Sequence, residues 1–281
     1  MKFLGISRSF VFSPNMTGAD AAIIEAVANE LRSRGHEVDT MGEDDFVATF
    51  ALRPQDVQAE QIFGMYRQPA TLQLLERLSD EFAIPAVNSA LGVRQADRLS
   101  FSRLFMQNDI PMPHTTIVEG DDVSALRYPC WLKRGEGCAQ ERGDVCYVAD
   151  EYEAAEALAG FRGRGIDGPL VASNHHAGDL IKFYGVAGTT FFFWYYASQG
   201  HSKFGLESIN GKEQGYTFSE AELAAITNRA ASVLQLDVYG GDAVVSPEGL
   251  IHLIDFNDWP SFSPCRREAA RAIADLLENK N

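Results

Sequence analysis

The stretch LIDFNDWPSFSP, residues 253–264, sets a carboxylate and a carboxamide two positions apart, Asp255 and Asn257, between an apolar run and a proline-bearing turn. IHLID alternates as a strand does, so the two side chains share one face, about 6–7 Å apart along the strand. That is a chelating geometry, although a solvated strand end followed by a turn-forming Asn-Asp pair describes the same residues. The preceding segment, LDVYGGDAVVSPEG, supplies a second strand and a turn at Pro247 to Gly249, which brings Asp242 beside the other two. Two carboxylates and an amide oxygen in one hairpin make a hard, all-oxygen site of the kind Mg²⁺ uses while it bridges phosphates. Buried like charges repel unless a cation neutralises them, so three converging acceptors ask for an ion where one would not.

Cations stand upstream of the hairpin. Lys133 ends the apolar strand PCWLK, Lys182 sits inside LIKFYG, and Arg98 begins a helix. A lysine flanked by apolar residues in a strand is seldom there for solubility, the competing role being that of an edge-strand gatekeeper. In SRSFVFSPN, Arg8 and Asn15 read first as turn and cap residues and second as an anion site at a helix start. His175 and His176 read as adjacent loop histidines with one facing solvent, and FFFWYY as a core strand.

These residues need a scaffold. MKFLGIS, a helical pattern over 18–35 ending on Gly35, and HEVDTM give strand, helix, strand, the start of a parallel α/β unit, but with no GxGxxG between them. A strand at 61–66, helices at 71–82 and 96–110, a strand pair YPCWLKRGE and DVCYV, a helix from 219 to 234 and the final amphipathic helix fill out the chain. The apolar stripe of that last helix (Ala269, Ile273, Leu276, Leu277) suits packing within the monomer. The 281 residues carry a formal charge of −15, with 46% hydrophobic and 22% charged residues, which argues against nucleic-acid or anionic-membrane surfaces. The longest apolar runs fall short of the roughly 20 residues that span a bilayer. Four cysteines without a CxxC pair (Cys130, Cys138, Cys146, Cys265) suggest free thiols and a cytoplasmic protein.

The ordered pieces VNSALGVRQADRLSFSRLFMQNDIPMPHT, CWLKRGEGCAQERGDVCYV, GPLVASNHHAGDLIKFYGVAG and GGDAVVSPEGLIHLIDFNDWPSF resemble the ATP-grasp superfamily over residues 88–262. The resemblance implies a Rossmann-like, pre-ATP-grasp α/β domain over 1–92, a small grasp lobe over 93–174 and a large lobe with a metal site over 175–281. It implies that Arg98 and Lys133 contact nucleotide phosphates, that Val171, Ala172, Ser173 and Asn174 form the linker beside adenine, and that Lys182, Lys203 and Asn210 reach the transferred phosphoryl group. Asp242, Asp255 and Asn257 would hold two Mg²⁺ ions, with Mn²⁺ as a substitute. The implied activity is ATP-dependent joining of a carboxylate to an amine or thiol through an acyl phosphate. The alternatives are a kinase acting on a polyol phosphate hydroxyl, and a nucleotide-binding protein without turnover. The chain departs from the family pattern in its linker, ASN where QE or EE is usual, and in Asp255, where ligases commonly have Glu and the kinase branch Asp.

Overall fold

The computed structural model describes residues 1–13, 16–136, 141–199 and 205–280. The N-terminal part is a parallel sheet of β1 (Lys2–Ser7), β2 (Glu37–Gly42), β3 (Gln61–Gly64) and β4 (Ala86–Val87) in the order β2-β1-β3-β4. Its crossovers carry α1 (Thr17–Ser33), α2 (Glu43–Phe50) and α3 (Pro69–Phe82). Strand β1 is buried through its middle, as a strand covered on both faces by helices must be.

The next part begins with α4 (Ala90–Gln95) and α5 (Arg98–Gln107). The sequence pattern predicts a helix over 96–110, and α5 is that helix, its start set at Arg98 because Asp97 is in extended backbone and stands as its N-cap. Ser89 caps α4, its hydroxyl accepting from the Gly92 N–H at 3.0 Å. Residue 93, the expected domain joint, lies inside α4. A four-stranded antiparallel sheet follows, β5 (Thr115–Val118), β6 (Cys130–Arg134), β7 (Val145–Val148) and β8 (Leu170–Asn174), in the order β5-β8-β6-β7, with α6 (Glu151–Gly163) between β7 and β8. It has its own core around Leu132, Leu158, Phe161 and Leu170.

The last part is a second antiparallel sheet, β9 (Asp179–Val186), β10 (Phe192–Tyr196), β11 (Val238–Val245) and β12 (Ile251–Asp258), in the order β10-β9-β11-β12. It is completed by α7 (Glu220–Leu234) and α8 (Arg266–Asn279). The aromatic run forms β10, which is an edge strand with every residue only half-buried rather than a core strand. The cause is its position: β10 pairs on one side alone.

How the parts share cores decides what can move. Phe3, Ile24 and Val27 of the N-terminal part join Val186, Val238, Trp259, Phe262 and α8 in one cluster. Asn88, fully buried, reinforces that seam: its amide donates to Val238 O at 2.7 Å and its oxygen accepts from the Asp237 and Val238 N–H groups at 2.8 Å. Helix α5 places Phe101 and Phe105 in the core of the C-terminal sheet. The sheet of β5 to β8 is thus the separate body. No described helix is long and apolar enough to cross a membrane.

Candidate active site

The hairpin of β11 and β12 forms one side of the C-terminal sheet, β12 at its edge and β11 paired on its other flank with β9. A β-bulge interrupts it: Ala243 pairs with Leu253, but Asp242 pairs with Asp255, leaving Ile254 as the extra residue. The bulge re-aims the strand and is what sets the two carboxylates opposite each other. Asn257 pairs with Gly240 two register pairs on. Gly241 permits the close approach, since a Cβ there would meet Asp255 O at 2.3 Å and the Phe183 ring at 2.6 Å. On the other flank, Lys182 of β9 pairs in register with Asp242.

The charges interlock. Lys182 Nζ lies 3.1 Å from Asp242 Oδ1, and Arg98 Nη2 lies 3.5 Å from Asp255 Oδ1. Both carboxylates keep about a quarter of their side-chain surface open, 26% and 27%. Lys133, reaching down from β6, donates from Nζ to Ile254 O at 2.9 Å, the carbonyl of the bulged residue. Burial, helped by the Arg98 charge and opposed by Asp255 and Asp242, pushes its pKa down to about 8. Arg98 Nη1 donates to Arg134 O at 2.9 Å. Three cations and two carboxylates therefore face a cleft of about 610 Å³, within the size range of small-molecule sites.

The cleft runs between the two antiparallel sheets. Arg98, Lys133, Ser173, Asn174, Lys182, Asn210, Asp242, Asp255 and Asn257 all line it. Val171 and Ala172 are buried in β8, Ala172 within the core of its own sheet, and both are paired with β5 on one side and β6 on the other, outside the cleft lining. Asn210 donates from Nδ2 to His176 O at 3.2 Å, which ties the 207–210 turn to the chain leaving β8. Lys203 and Cys138 lie outside the described residues. The three described cysteines are free thiols.

Of the two loop histidines, His176 lines the cleft and packs on His252 with ring centroids 4.5 Å apart, while His175, outside the lining, accepts from the Trp131 Nε1–H at 3.1 Å. Both are half-buried. Several lining residues escape sequence reasoning. Tyr184 and Tyr195, whose hydroxyls are 3.1 Å apart, stand beside Lys182. The period of two from Lys182 points to Tyr184; Tyr195 needs the β9–β10 register. Arg67 also lines the cleft.

Among the described residues no group of three or more His, Cys, Asp or Glu gathers as a metal site. The hairpin set has two carboxylates and an amide instead. An all-oxygen donor set open to a cleft fits Mg²⁺ or Mn²⁺, which keep waters and take phosphate oxygens as further ligands.

No protein-family model matches the sequence, and no curated protein matches it as a relative. Solved structures do match. A RimK domain ATP-grasp protein from Sphaerobacter thermophilus is similar at 20% identity, with a TM-score of 0.70 over 99% of this chain and 100% of that one. D-alanine–D-alanine ligase from Coxiella burnetii is similar at 12% identity and a TM-score of 0.69, over 99% and 94% of the two chains. The Bacillus anthracis D-alanine–D-alanine ligase, complexed with ATP, is similar at 12% identity and 0.65, over 99% and 96%. An N-terminal parallel unit followed by two antiparallel sheets facing each other across a cleft, matched end to end by these structures, is the fold of the ATP-grasp proteins, and this chain has it.

Proposed function

We propose that the protein is a Mg²⁺-ATP-dependent ligase that joins a carboxylate to an amine or thiol through an acyl phosphate. The observation that carries this reading is the facing of Asp242, Asp255 and Asn257 by Lys133, Lys182 and Arg98 across one cleft. Lys133 and Arg98 would hold the nucleotide phosphates, with the end of β8 at Ser173 and Asn174 beside the base. Lys182 stands where charge grows on the transferred phosphoryl group, a role Lys203 and Asn210 would share. Asp242, Asp255 and Asn257 would hold the cation, which supplies charge neutralisation at the phosphoryl oxygens. The protein's own work is positioning and electrostatic stabilisation rather than covalent catalysis. A carboxylate oxygen attacks the γ-phosphorus in line and ADP leaves; the amine or thiol then attacks the acyl carbon and inorganic phosphate leaves.

A polyol-phosphate kinase needs surplus positive charge at the acceptor end. Here Arg67 and Arg8 both pair with Asp258, and Arg8 also with Asp20, with buried Glu43 on the same loops, so these carboxylates leave the two arginines no surplus positive charge. That balance favours the ligase.

The test follows label from the γ-phosphate of ATP with Mg²⁺ and a dialysed metabolite extract. Inorganic phosphate released only with extract is the expected outcome; label on an organic acceptor would show a kinase, and label retained in ATP would sink both. Asp255→Asn is expected to lower extract-dependent turnover at least a hundredfold while unfolding remains cooperative. Full activity in that variant refutes the metal assignment.

A further inference from the structure

Of the described lysines, Lys2, Lys182 and Lys280 each pair with a carboxylate, and Lys212 is exposed. Lys133 does neither. It stands in the wall of the cleft with 7% of its surface exposed, and among the described residues it forms no ion pair. Its Nζ donates instead to a neutral carbonyl, Ile254 O at 2.9 Å. The charges that face it are Arg98 of α5, Asp255 of β12 and Asp242 of β11, and the two carboxylates are engaged elsewhere, Asp242 by Lys182 and Asp255 by Arg98. Burial, helped by Arg98, holds the Lys133 pKa down at about 8. About one amine in ten is then neutral at pH 7, against about three in ten thousand for a lysine at the ordinary 10.5. The neutral amine is a nucleophile.

Arg98 says which electrophile would meet it. It too is 7% exposed and lines the same wall. Its Nη1 donates to the carbonyl of Arg134, the residue after Lys133, and its Nε is buried with no hydrogen-bond partner. A guanidinium with a donor to spare suits a phosphate group, and the three cations of the cleft outnumber its two carboxylates. A small molecule that carries an acyl carbon on a phosphate matches both the amine and the guanidinium. The product also suits the site. An acylated Lys133 keeps one N–H for Ile254 O and no longer places a charge where burial opposes it.

We infer that Lys133 is a modification site, acylated by small acyl phosphates that enter the nucleotide-free cleft, and that the acyl group switches off the response to nucleotide. In the step, the Nζ lone pair bonds to the acyl carbon and the bond from that carbon to the phosphate oxygen breaks. Inorganic phosphate leaves with the electron pair, and the surplus proton on nitrogen passes to solvent. The modification needs only the geometry of the cleft; the switch rests on the assignment of Lys133 to the nucleotide phosphates in the ligase reading above.

The test treats the full chain, free of nucleotide in EDTA at pH 7, with acetyl phosphate and maps acetyl groups by mass spectrometry over time. Lys133 is expected to be acetylated at least tenfold faster than the exposed Lys212, and excess inorganic phosphate is expected to slow it. Acetylation no faster than at Lys212, or equally fast at Lys182, overturns the site. In Arg98→Gln the Lys133 rate with acetyl phosphate is expected to fall at least tenfold relative to the rate with N-hydroxysuccinimidyl acetate, which carries no phosphate; an unchanged ratio refutes acylation guided by phosphate. Should that variant fail to fold, labelling of wild-type Lys133 that excess phosphate leaves unslowed refutes it equally. Protein acetylated at Lys133 is expected to need at least tenfold more Mg²⁺-ATP for the same thermal stabilisation. Acetylation without that change would sink the nucleotide assignment of Lys133 and leave the modification site standing, while a protein that answers Mg²⁺-ATP but resists acetylation would do the reverse.

Discussion

Lys133→Met is expected to make the nucleotide-free protein more stable while removing its response to ATP. The ammonium is 7% exposed and its pKa is held near 8 against the ordinary 10.5. At 1.36 kcal/mol for each tenfold change, the folded state penalises the charged form by about 3 kcal/mol at neutral pH. Met has similar length and no charge to bury. It gives up the 2.9 Å bond to Ile254 O, which offsets about 1–2 kcal/mol. The net expectation is a gain of about 1–2 kcal/mol, read by urea unfolding at pH 7 in EDTA. The pH dependence has a definite sign. Because the folded pKa lies below the unfolded one, the unfolded chain binds more protons between about pH 8 and 10.5, and Lys133 makes wild-type stability rise with pH across that window. The Met variant lacks this contribution. Wild type should also gain stability with Mg²⁺-ATP, as any ligand of the native state confers, and the variant should not. A variant less stable than wild type, or one stabilised by Mg²⁺-ATP as strongly, refutes the reasoning.

Asn88→Ala strands two N–H groups at the seam between the N-terminal unit and β11 and removes one of the two donors to Val238 O, which keeps the Trp259 N–H. At about 1–3 kcal/mol for each unmet group, a loss of about 3 kcal/mol or more is expected in chemical denaturation; a loss under about 1 kcal/mol shows that the seam rests on its apolar core alone. Gly241→Ala drives a Cβ to 2.3 Å from Asp255 O, so β12 must shift against β11. A loss of about 1–3 kcal/mol together with a turnover loss exceeding tenfold is expected, and unaltered turnover would mean that the Asp242–Asp255 register does not matter to the chemistry.

What the sequence makes legible is what local rules encode. Asp255 and Asn257 share a face because strands repeat every two residues, and Lys133 and Lys182 stand out because apolar neighbours leave a lysine no other reason to be in a strand. The bulge at Ile254 is not legible: without it Asp242 would pair with residue 254, and a one-residue slip exchanges the faces of a strand. Arg8 reads as a turn residue because its partner Asp258 lies 250 positions away. The helix read over 96–110 forms as α5 but starts only at Arg98, because of an extended backbone at Asp97 that no periodicity announces. Long-range pairing and backbone irregularity are the two things that a hydrophobic pattern cannot carry.

The division of the cores says where the molecule can yield. The N-terminal unit, α5 and the C-terminal sheet are joined by shared apolar clusters and by Asn88, whereas the sheet of β5 to β8 packs its own core. Among the described residues, three of the hydrogen bonds that tie this sheet to the rest near the cleft are Arg98 to Arg134 O at 2.9 Å, the Leu99 N–H to Gly135 O at 2.8 Å, and Lys133 to Ile254 O at 2.9 Å. Two of the three are made by the side chains assigned to the nucleotide phosphates. A polyphosphate that takes up Arg98 and Lys133 competes with the bonds that hold the lobe, and it offers those cations anionic acceptors in place of neutral carbonyls, the stronger kind of hydrogen bond. On the proposed nucleotide assignment, occupancy and lobe position would be coupled through the same two residues.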